Sequence, residues 1–345
     1  MMSVPGGPRP TLEAVAALAG VSRATVSRVV NGGPGVRAEI REQVRQAITE
    51  LGYVPNSAAR SLVTRRTGAV AVVIAEPETR VFSDPFFAQQ LRGIGRELGA
   101  ADTQLLLMMV DSDRDHERIG RYLSGGHVDG ALMFSLHRAD PLPAMAAASG
   151  LPTVFGGRPD WSDEGRPGAR PLYVDTDNRD GARQAVRHLL ARGRRRIAVI
   201  TGPLDQTSAQ DRLDGYREAL APAPADPLLI ADGSFTAEGG ERAMAELIDR
   251  VPDLDAVFAC SDLMATGALR TLRARGLRVP ADVAVVGYDD LAPAAWADPP
   301  LTTVRQDVQE MGRLMARLLL RRLASGDADL SPVVTPATLI VRDSG

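Results

Sequence analysis

The sequence contains no lysine: all 40 of its basic side chains are arginine. We read that as a base-composition bias of the coding sequence, not as chemistry. One cysteine, Cys260, occurs in 345 residues. An intrachain disulfide is therefore excluded, and a reducing compartment is natural. The four histidines are His116, His127, His137 and His188, and none stands at the spacing of a zinc site. No run approaches the roughly 18 apolar residues of a membrane span. The N-terminal M-M-S-V-P-G-G-P-R-P lacks the apolar core of a signal peptide. Neither G-x-S-x-G nor H-E-x-x-H occurs, and no nucleophile–base pair supports an enzyme. Gly93-Ile94-Gly95 is a G-x-G inside a helical pattern, too far past its strand to turn a backbone around a pyrophosphate. Asp111-Ser112-Asp113-Arg114-Asp115 lacks the Gly and bidentate Glu of a calcium loop and reads as a helix cap. No cofactor and no metal are expected.

What the chain has is an uneven charge. Through Arg66 there are 9 Arg and 4 acids, a net of +5. The remainder has 31 Arg and 39 acids, a net of −8, and the whole carries −3. A basic head on an acidic body suits contact with a polyanion by the head alone. The head's pattern agrees. Residues 11–31 read T-L-E-A-V-A-A-L-A-G-V-S-R-A-T-V-S-R-V-V-N. Leu12, Val15, Ala16 and Ala19 fall on one helical face, with Thr11 as N-cap, Glu13 in the positive first turn and Gly20 able to end the helix left-handed. Ser22 can cap a second helix whose Val26, Val29 and Val30 turn to a core. Arg23, Ala24, Ser27 and Arg28 remain on its outer face. This is the layout of a helix-turn-helix. Arg can bond guanine O6 and N7 in two prongs, Ala24 can touch a thymine methyl, and Thr25 and Ser27 suit phosphate oxygens. Ile40, Val44, Ala47, Ile48 and Leu51 repeat as a third helix ended by Gly52. Beyond it, Pro55 and Asn56 open a short small-residue helix, in which Ala58 and Ala59 permit close approach of two copies. Leu62 there has little core to enter and can wedge into a minor groove.

The stretches T-L-E-A-V-A-A-L-A-G-V-S-R-A-T-V-S-R-V-V-N and A-I-T-E-L-G-Y-V-P-N-S-A-A-R-S-L make the chain resemble the LacI/GalR family of bacterial transcriptional regulators. The resemblance runs from Thr11 to about Val341. It implies that Arg23, Ala24 and Arg28 read a half-site and that Leu62 is the hinge-helix lever that kinks the operator centre. Thr11, Ser22, Thr25, Ser27, Asn31, Tyr53, Asn56 and Ala59 complete the expected DNA-contact set. Arg37 is a departure, standing where relatives more often cap the third helix with Ser or Thr.

From Gly68 the pattern alternates short apolar strands with amphipathic helices, implying parallel sheets covered on both faces. About nine strands, from Ala69–Ala75 to Val283–Gly287, are too many for one lobe of this length, so two hinged lobes fit better. The resemblance sharpens this to an all-α helix-turn-helix head plus an α/β two-lobed body of type I periplasmic-binding-protein fold. We place a DNA-binding head at 1–54, a hinge helix and linker at 55–67, and an effector-binding and dimerisation domain at 68–345. Its first lobe takes about 68–174 and 304–332, and its second about 175–303 and 333–345. Ligands of open parallel sheets sit at the carboxyl ends of strands. An Arg facing an Asp across a cleft can grip vicinal hydroxyls with paired bonds. Arg212 and Asp289 match the positions at which the family holds its effector. Phe86, Phe87 and Phe235 can stack on a sugar face, and Asp84, Ser261 and Asp262 complete the expected effector set. Three further departures stand out: Ser261 replaces a frequent Asn, the loop at 76–82 is longer than usual, and Arg194 replaces a familiar His in a turn expected to be solvated.

The expectation is a ligand-responsive repressor of carbohydrate-utilisation genes, cytoplasmic and nucleoid-associated. It binds double-stranded pseudo-palindromic operator DNA as a homodimer through first-lobe helices such as Phe86–Ala100, with no membrane contact and a sugar-type effector between the lobes. The chain stops at Gly345 without a leucine heptad, so dimers are expected and not tetramers. A nucleobase or another polar metabolite stays open as the effector. A freestanding solute-binding protein would not need the basic head, and a sugar-processing enzyme would need a catalytic set.

Overall fold

The computed structural model describes residues 10–30, 33–54, 66–159, 171–221, 226–325 and 330–345. Contacts divide the chain into two compact units, residues 1–68 and 69–345. The expected contacts Asn31, Asn56, Ala59 and Leu62, and most of the expected hinge, lie outside the described residues.

The head is three helices: α1 (Leu12–Leu18), α2 (Arg23–Val30) and α3 (Ala38–Leu51). Thr11 Oγ1 accepts from the Ala14 amide at 3.3 Å and so satisfies one of the helix's orphan donors. Gly20 takes φ +61° at the turn, and Gly52 takes φ +60° after α3. Both are backbone conformations that suit glycine. The Thr25 amide donates to Ser22 Oγ at 3.1 Å and caps α2. Arg37 makes no side-chain cap, consistent with its departure in sequence. Val15, Ala16, Val26, Val44, Ala47 and Tyr53 close the core.

The described part of the body holds twelve strands: β1 (Ala69–Ile74), β2 (Gln104–Met109), β3 (Gly130–Phe134), β4 (Thr153–Gly156), β5 (Leu172–Thr176), β6 (Ile197–Thr201), β7 (Ile230–Asp232), β8 (Ala256–Ala259), β9 (Ala284–Asp289), β10 (Thr302–Arg305), β11 (Val333–Thr335) and β12 (Thr338–Ile340). Its helices are α4 (Glu78–Ser83), α5 (Pro85–Ala100), α6 (Asp113–Ser124), α7 (Leu142–Ala148), α8 (Asn178–Ala191), α9 (Thr207–Leu220), α10 (Ala237–Arg250), α11 (Asp262–Ala274), α12 (Ala292–Trp296) and α13 (Val308–Ser325). Two six-stranded sheets result, ordered β11-β5-β4-β3-β1-β2 and β12-β10-β9-β8-β6-β7. Only the β10–β12 pairing among these is antiparallel. Strands such as A-V-A-V-V-I in β1 are buried along nearly their whole length, as a sheet covered on both faces requires. One apolar cluster lies between the first sheet and α5 with α13, and a second lies on the sheet's other face under α6 and α7. The second lobe has a single large cluster.

The chain passes between the sheets after β5, after β10 and between β11 and β12. Two expected boundaries need correction. β10 continues to Arg305 in the second sheet, so the crossing falls after residue 303. β11 pairs with β5, which puts residues 333–335 in the first sheet and not in the second lobe. Pro332 stands immediately before this short edge strand, where a proline costs no ladder bond. The stretch at 76–82 is not a long loop either, since residues 78–83 form α4.

The glycine pattern that could suggest nucleotide binding has a packing cause. A Cβ on Gly93 would lie 2.0 Å from the Gln309 carbonyl oxygen, and one on Gly312 would lie 2.2 Å from that of Gln90. α5 and α13 therefore cross backbone to backbone. Gly99, on the same helix as Gly93, has nothing within 4 Å of its would-be Cβ. Gly93→Ala should therefore destabilise the body by about 1–3 kcal/mol through overpacking. Gly99→Ala should stabilise it by about 0.5–1 kcal/mol through helix propensity. Urea unfolding of both variants measures this, and equal effects would contradict the close crossing.

Candidate functional site

On the head, α2 exposes Arg23, Ala24 and Arg28, with Thr25 and Ser27 half-buried beside them. Arg23 Nε stands 2.8 Å from Glu13 Oε1, and both side chains are mostly exposed. Such a surface pair is weak and readily exchanged for another anion. Ser22 Oγ and Thr25 Oγ1 are 2.9 Å apart and serve the helix cap. Tyr53 is the correction here: expected at DNA, it is 8 % exposed and forms part of the head core. Its ring completes a six-residue core that is otherwise aliphatic.

In the body, a cleft opens at the carboxyl ends of both sheets, where open parallel sheets bind ligands. Asp84, Phe86, Phe87, Arg212, Phe235, Ser261 and Asp289 all line it. Asp84 Oδ1 accepts from the Phe86 amide at 2.9 Å, which starts α5 and turns Phe86 and Phe87 toward the cleft. Burial raises the Asp84 carboxyl above its usual range. Phe86 meets Phe87 edge-on at 5.5 Å, and Phe87 stacks on Phe134 at 6.3 Å. Ser261 Oγ accepts from the Met264 amide at 3.2 Å and caps α11.

Arg212 is the centre of the second-lobe wall. It is 5 % exposed. Its Nε donates to Asn178 Oδ1 at 2.8 Å and its Nη1 to the Cys260 carbonyl at 2.5 Å. The guanidinium lies 3.7 Å from the Tyr288 ring centroid, a stacked cation–π contact. Asp289 Oδ1 is 3.7 Å from Arg212 Nη1 and accepts from Gln306 Nε2 at 2.5 Å. The strand end is strained, with φ +113° at Asp289 and +55° at Asp290. Burial pushes the Asp289 carboxyl up to about 7, against the opposing pull of Arg212. Burial likewise pushes Asp175 up to about 6. Its oxygens accept from the Arg158 and Thr176 amides at 3.0 and 2.8 Å and from Asn178 Nδ2 at 3.0 Å.

Two expectations change. Arg212 and Asp289 do not face each other across the cleft: they come from α9 and β9 and sit side by side on one wall. Asp262 does not line the cleft at all. It is 2 % exposed, accepts from Thr303 Oγ1 at 2.6 Å and from the Leu291 amide at 2.8 Å, and ties α11 to β10 and to the segment after β9. In the first turn of α11 it points inward, while the capping Ser261 before it points outward.

Sequence reasoning missed several lining groups. Arg80 enters from α4, its guanidinium 5.8 Å from the Phe87 ring and 5.5 Å from that of Phe235. Gln90 had a readable signal, being a polar residue on the apolar face formed by Phe87, Ile94 and Leu98. Arg158 and His137, from the first lobe, reach the second. Arg158 Nη2 lies 2.9 Å from both Asp211 oxygens, and its carbonyl accepts from Thr207 Oγ1 at 2.6 Å. His137 Nδ1 lies 2.8 Å from Asp205 Oδ2. Arg194, expected in a solvated turn, donates to the Pro280 carbonyl. Chemically, the cleft offers aromatic faces, clustered donors and buried carboxylates, which suits a neutral ligand rich in hydroxyls.

Comparison with known proteins agrees with both units. Residues 11–56 match bacterial regulatory proteins of the lacI family, and residues 186–345 match the periplasmic binding protein-like domain. The chain is 52% identical over 339 residues to the HTH-type transcriptional regulator CelR of Thermobifida fusca, with 98% of each chain covered. A solved CelR–cellobiose complex aligns with TM-score 0.77 at 51% identity, covering 98% of this chain and 100% of that one. The lac repressor dimer bound to operator and the anti-inducer ONPF aligns with TM-score 0.84 at 30% identity, covering 98% and 99%. With a three-helix unit at its N-terminus and a two-sheet α/β unit following in sequence, the chain belongs to the LacI family of bacterial transcriptional regulators.

Proposed function

We propose that this regulator is a cytoplasmic repressor of carbohydrate-utilisation genes, gripping a pseudo-palindromic operator as a homodimer, and that a neutral oligosaccharide of the cellobiose class between its lobes sets that grip. The observation that carries the effector assignment is Arg212 buried on Tyr288 beside Asp289, in a cleft lined by phenylalanines. A guanidinium and a carboxylate side by side can donate to and accept from neighbouring hydroxyls of one ring, while an aromatic face covers its C–H side. The similarity to a regulator whose structure holds cellobiose supports the same class of ligand here.

Two heads would place their α2 helices in major-groove half-sites about one helical turn apart. Arg23, Ala24 and Arg28 read bases, and Leu62 from each chain pries the central minor-groove step. The ligand wall reaches the crossing segments through Asp289–Gln306 and through Arg212–Asn178–Asp175. Occupancy of the wall thereby biases the angle between lobes, coupling the two ligands by about 1–3 kcal/mol, a usual allosteric magnitude.

Arg28→Ala should cost about 1–3 kcal/mol on the operator and far less on random duplex at the same salt. An equal loss on both, read by fluorescence anisotropy, would reduce Arg28 to a phosphate contact. Arg212→Met should weaken cellobiose binding by about a hundredfold or more in isothermal titration, because it leaves buried acceptors without their donor. Unchanged affinity would remove Arg212 from the site. The ionised Asp289 is the form that accepts hydroxyls, so affinity is full above its pKa of about 7 and is lost as pH falls through it. Binding should be about tenfold weaker at pH 6 than at pH 8, and a flat profile would contradict the acceptor assignment.

A further inference from the structure

Among the described residues, four buried side-chain polar atoms have no hydrogen-bond partner: Arg80 Nε, Gln90 Oε1, His188 Nε2 and Tyr288 Oη. Buried polar groups are rarely left so, and each needs an explanation. Two of the four, Arg80 and Gln90, lie on the first-lobe wall of the cleft. Gln90 is 1 % exposed, and its amide nitrogen has only the thioether sulfur of Met315, at 3.2 Å, as acceptor. A glutamine held against α13 in this way gains little stability from its amide. Arg80 Nη1 is held by Glu76 Oε1 at 2.5 Å, which fixes the guanidinium between the Phe87 and Phe235 rings while Nε–H stays unpaired.

We propose that Arg80 and Gln90 form a second hydroxyl-binding subsite, on the wall opposite Arg212 and Asp289. The inference rests on the reading of the cleft as an effector site and adds the chemistry of its other side. One orphan is a donor and the other an acceptor. A hydroxyl is an uncharged group that can serve either. A ligand that satisfies both walls carries hydroxyls at two places, as a sugar of two rings does. Buried Asp84 lines the same wall and opposes an anion, so a phosphorylated or acidic sugar is disfavoured there. Arg80 comes from α4, so the subsite is presented by a first-lobe helix.

The test is isothermal titration with cellobiose, with thermal melts of the ligand-free protein, on wild type, Gln90→Met and Arg80→Met. Gln90→Met keeps the side-chain volume and removes the orphaned amide. Its ligand-free melting temperature should hold or rise, while cellobiose affinity falls about tenfold. A purely packing role gives the reverse, a lower melting temperature with unchanged affinity, and overturns the proposal. Arg80→Met should lose at least as much affinity, and a tight-binding Arg80→Met overturns the proposal whatever Gln90→Met does. If wild type binds cellobiose or another neutral sugar and both variants bind it equally, the subsite falls and the cleft assignment stands. If wild type binds no member of a panel of neutral mono- and disaccharides, the cleft assignment falls and the subsite with it.

Discussion

A guanidinium buried to 5 % exposure is costly unless every face of it is occupied, and Arg212 organises the body around that requirement. The ring of Tyr288 lies under it, Asn178 and the Cys260 carbonyl accept from it, and Asp289 stands beside it. These partners come from the start of α8, the end of β8 and the end of β9. The second-lobe wall is thus ordered before any ligand arrives, and part of the ordering entropy of binding is already spent. Asp289 is held less completely. It has the Gln306 amide and the Asp262 backbone as donors and only a distant cation, and burial pushes its carboxyl up to about 7. A group so placed gains most from a ligand that donates to it.

The same contacts reach the segments where the chain crosses between sheets. Asn178 opens α8 just after the first crossing, Gln306 lies in the second, and Thr335 Oγ1 donates to the Asp175 carbonyl at the third. Around the mouth, Arg158–Asp211, Thr207–Arg158 and His137–Asp205 join the lobes directly. The cleft is therefore bounded by two kinds of link, one inside the binding wall and one at its rim. In the function proposed above, a ligand that changes the first changes the angle at which the second can close. Small rearrangements at packed walls become lobe movements because packed interfaces have few discrete arrangements.

Much of this was legible in the sequence wherever local rules decide the outcome. The caps of α1 and α2, the left-handed glycines at 20 and 52, and the long buried strands follow from residue type and spacing. Short elements were missed, because three-residue strands such as β11 and β12 gain their stability from neighbours and not from pattern. α4 is not legible as a helix, since its Pro77 start and six-residue length leave no periodicity. The site was legible as residue types and not as directions. Ser261 and Asp262 are adjacent, and only the turn into α11 decides that one faces the cleft and the other faces Thr303. Arg212 and Asp289 carried the right chemistry, but the placement of both on one wall depends on β9 lying beside β8 in the sheet. Tyr53 shows the opposite case, a residue with a functional resemblance that the small head uses for packing.

The proposed coupling joins a DNA grip to a sugar in the cleft of one protein. Its most direct test is selection of bound duplexes from a random pool, followed by titration of the selected sequence with and without cellobiose. The expected outcome is a palindromic sequence whose affinity changes by roughly 5- to 150-fold when the sugar is present. Failure to enrich any palindrome, or an enriched site whose affinity neither cellobiose nor any other neutral sugar alters, would contradict it.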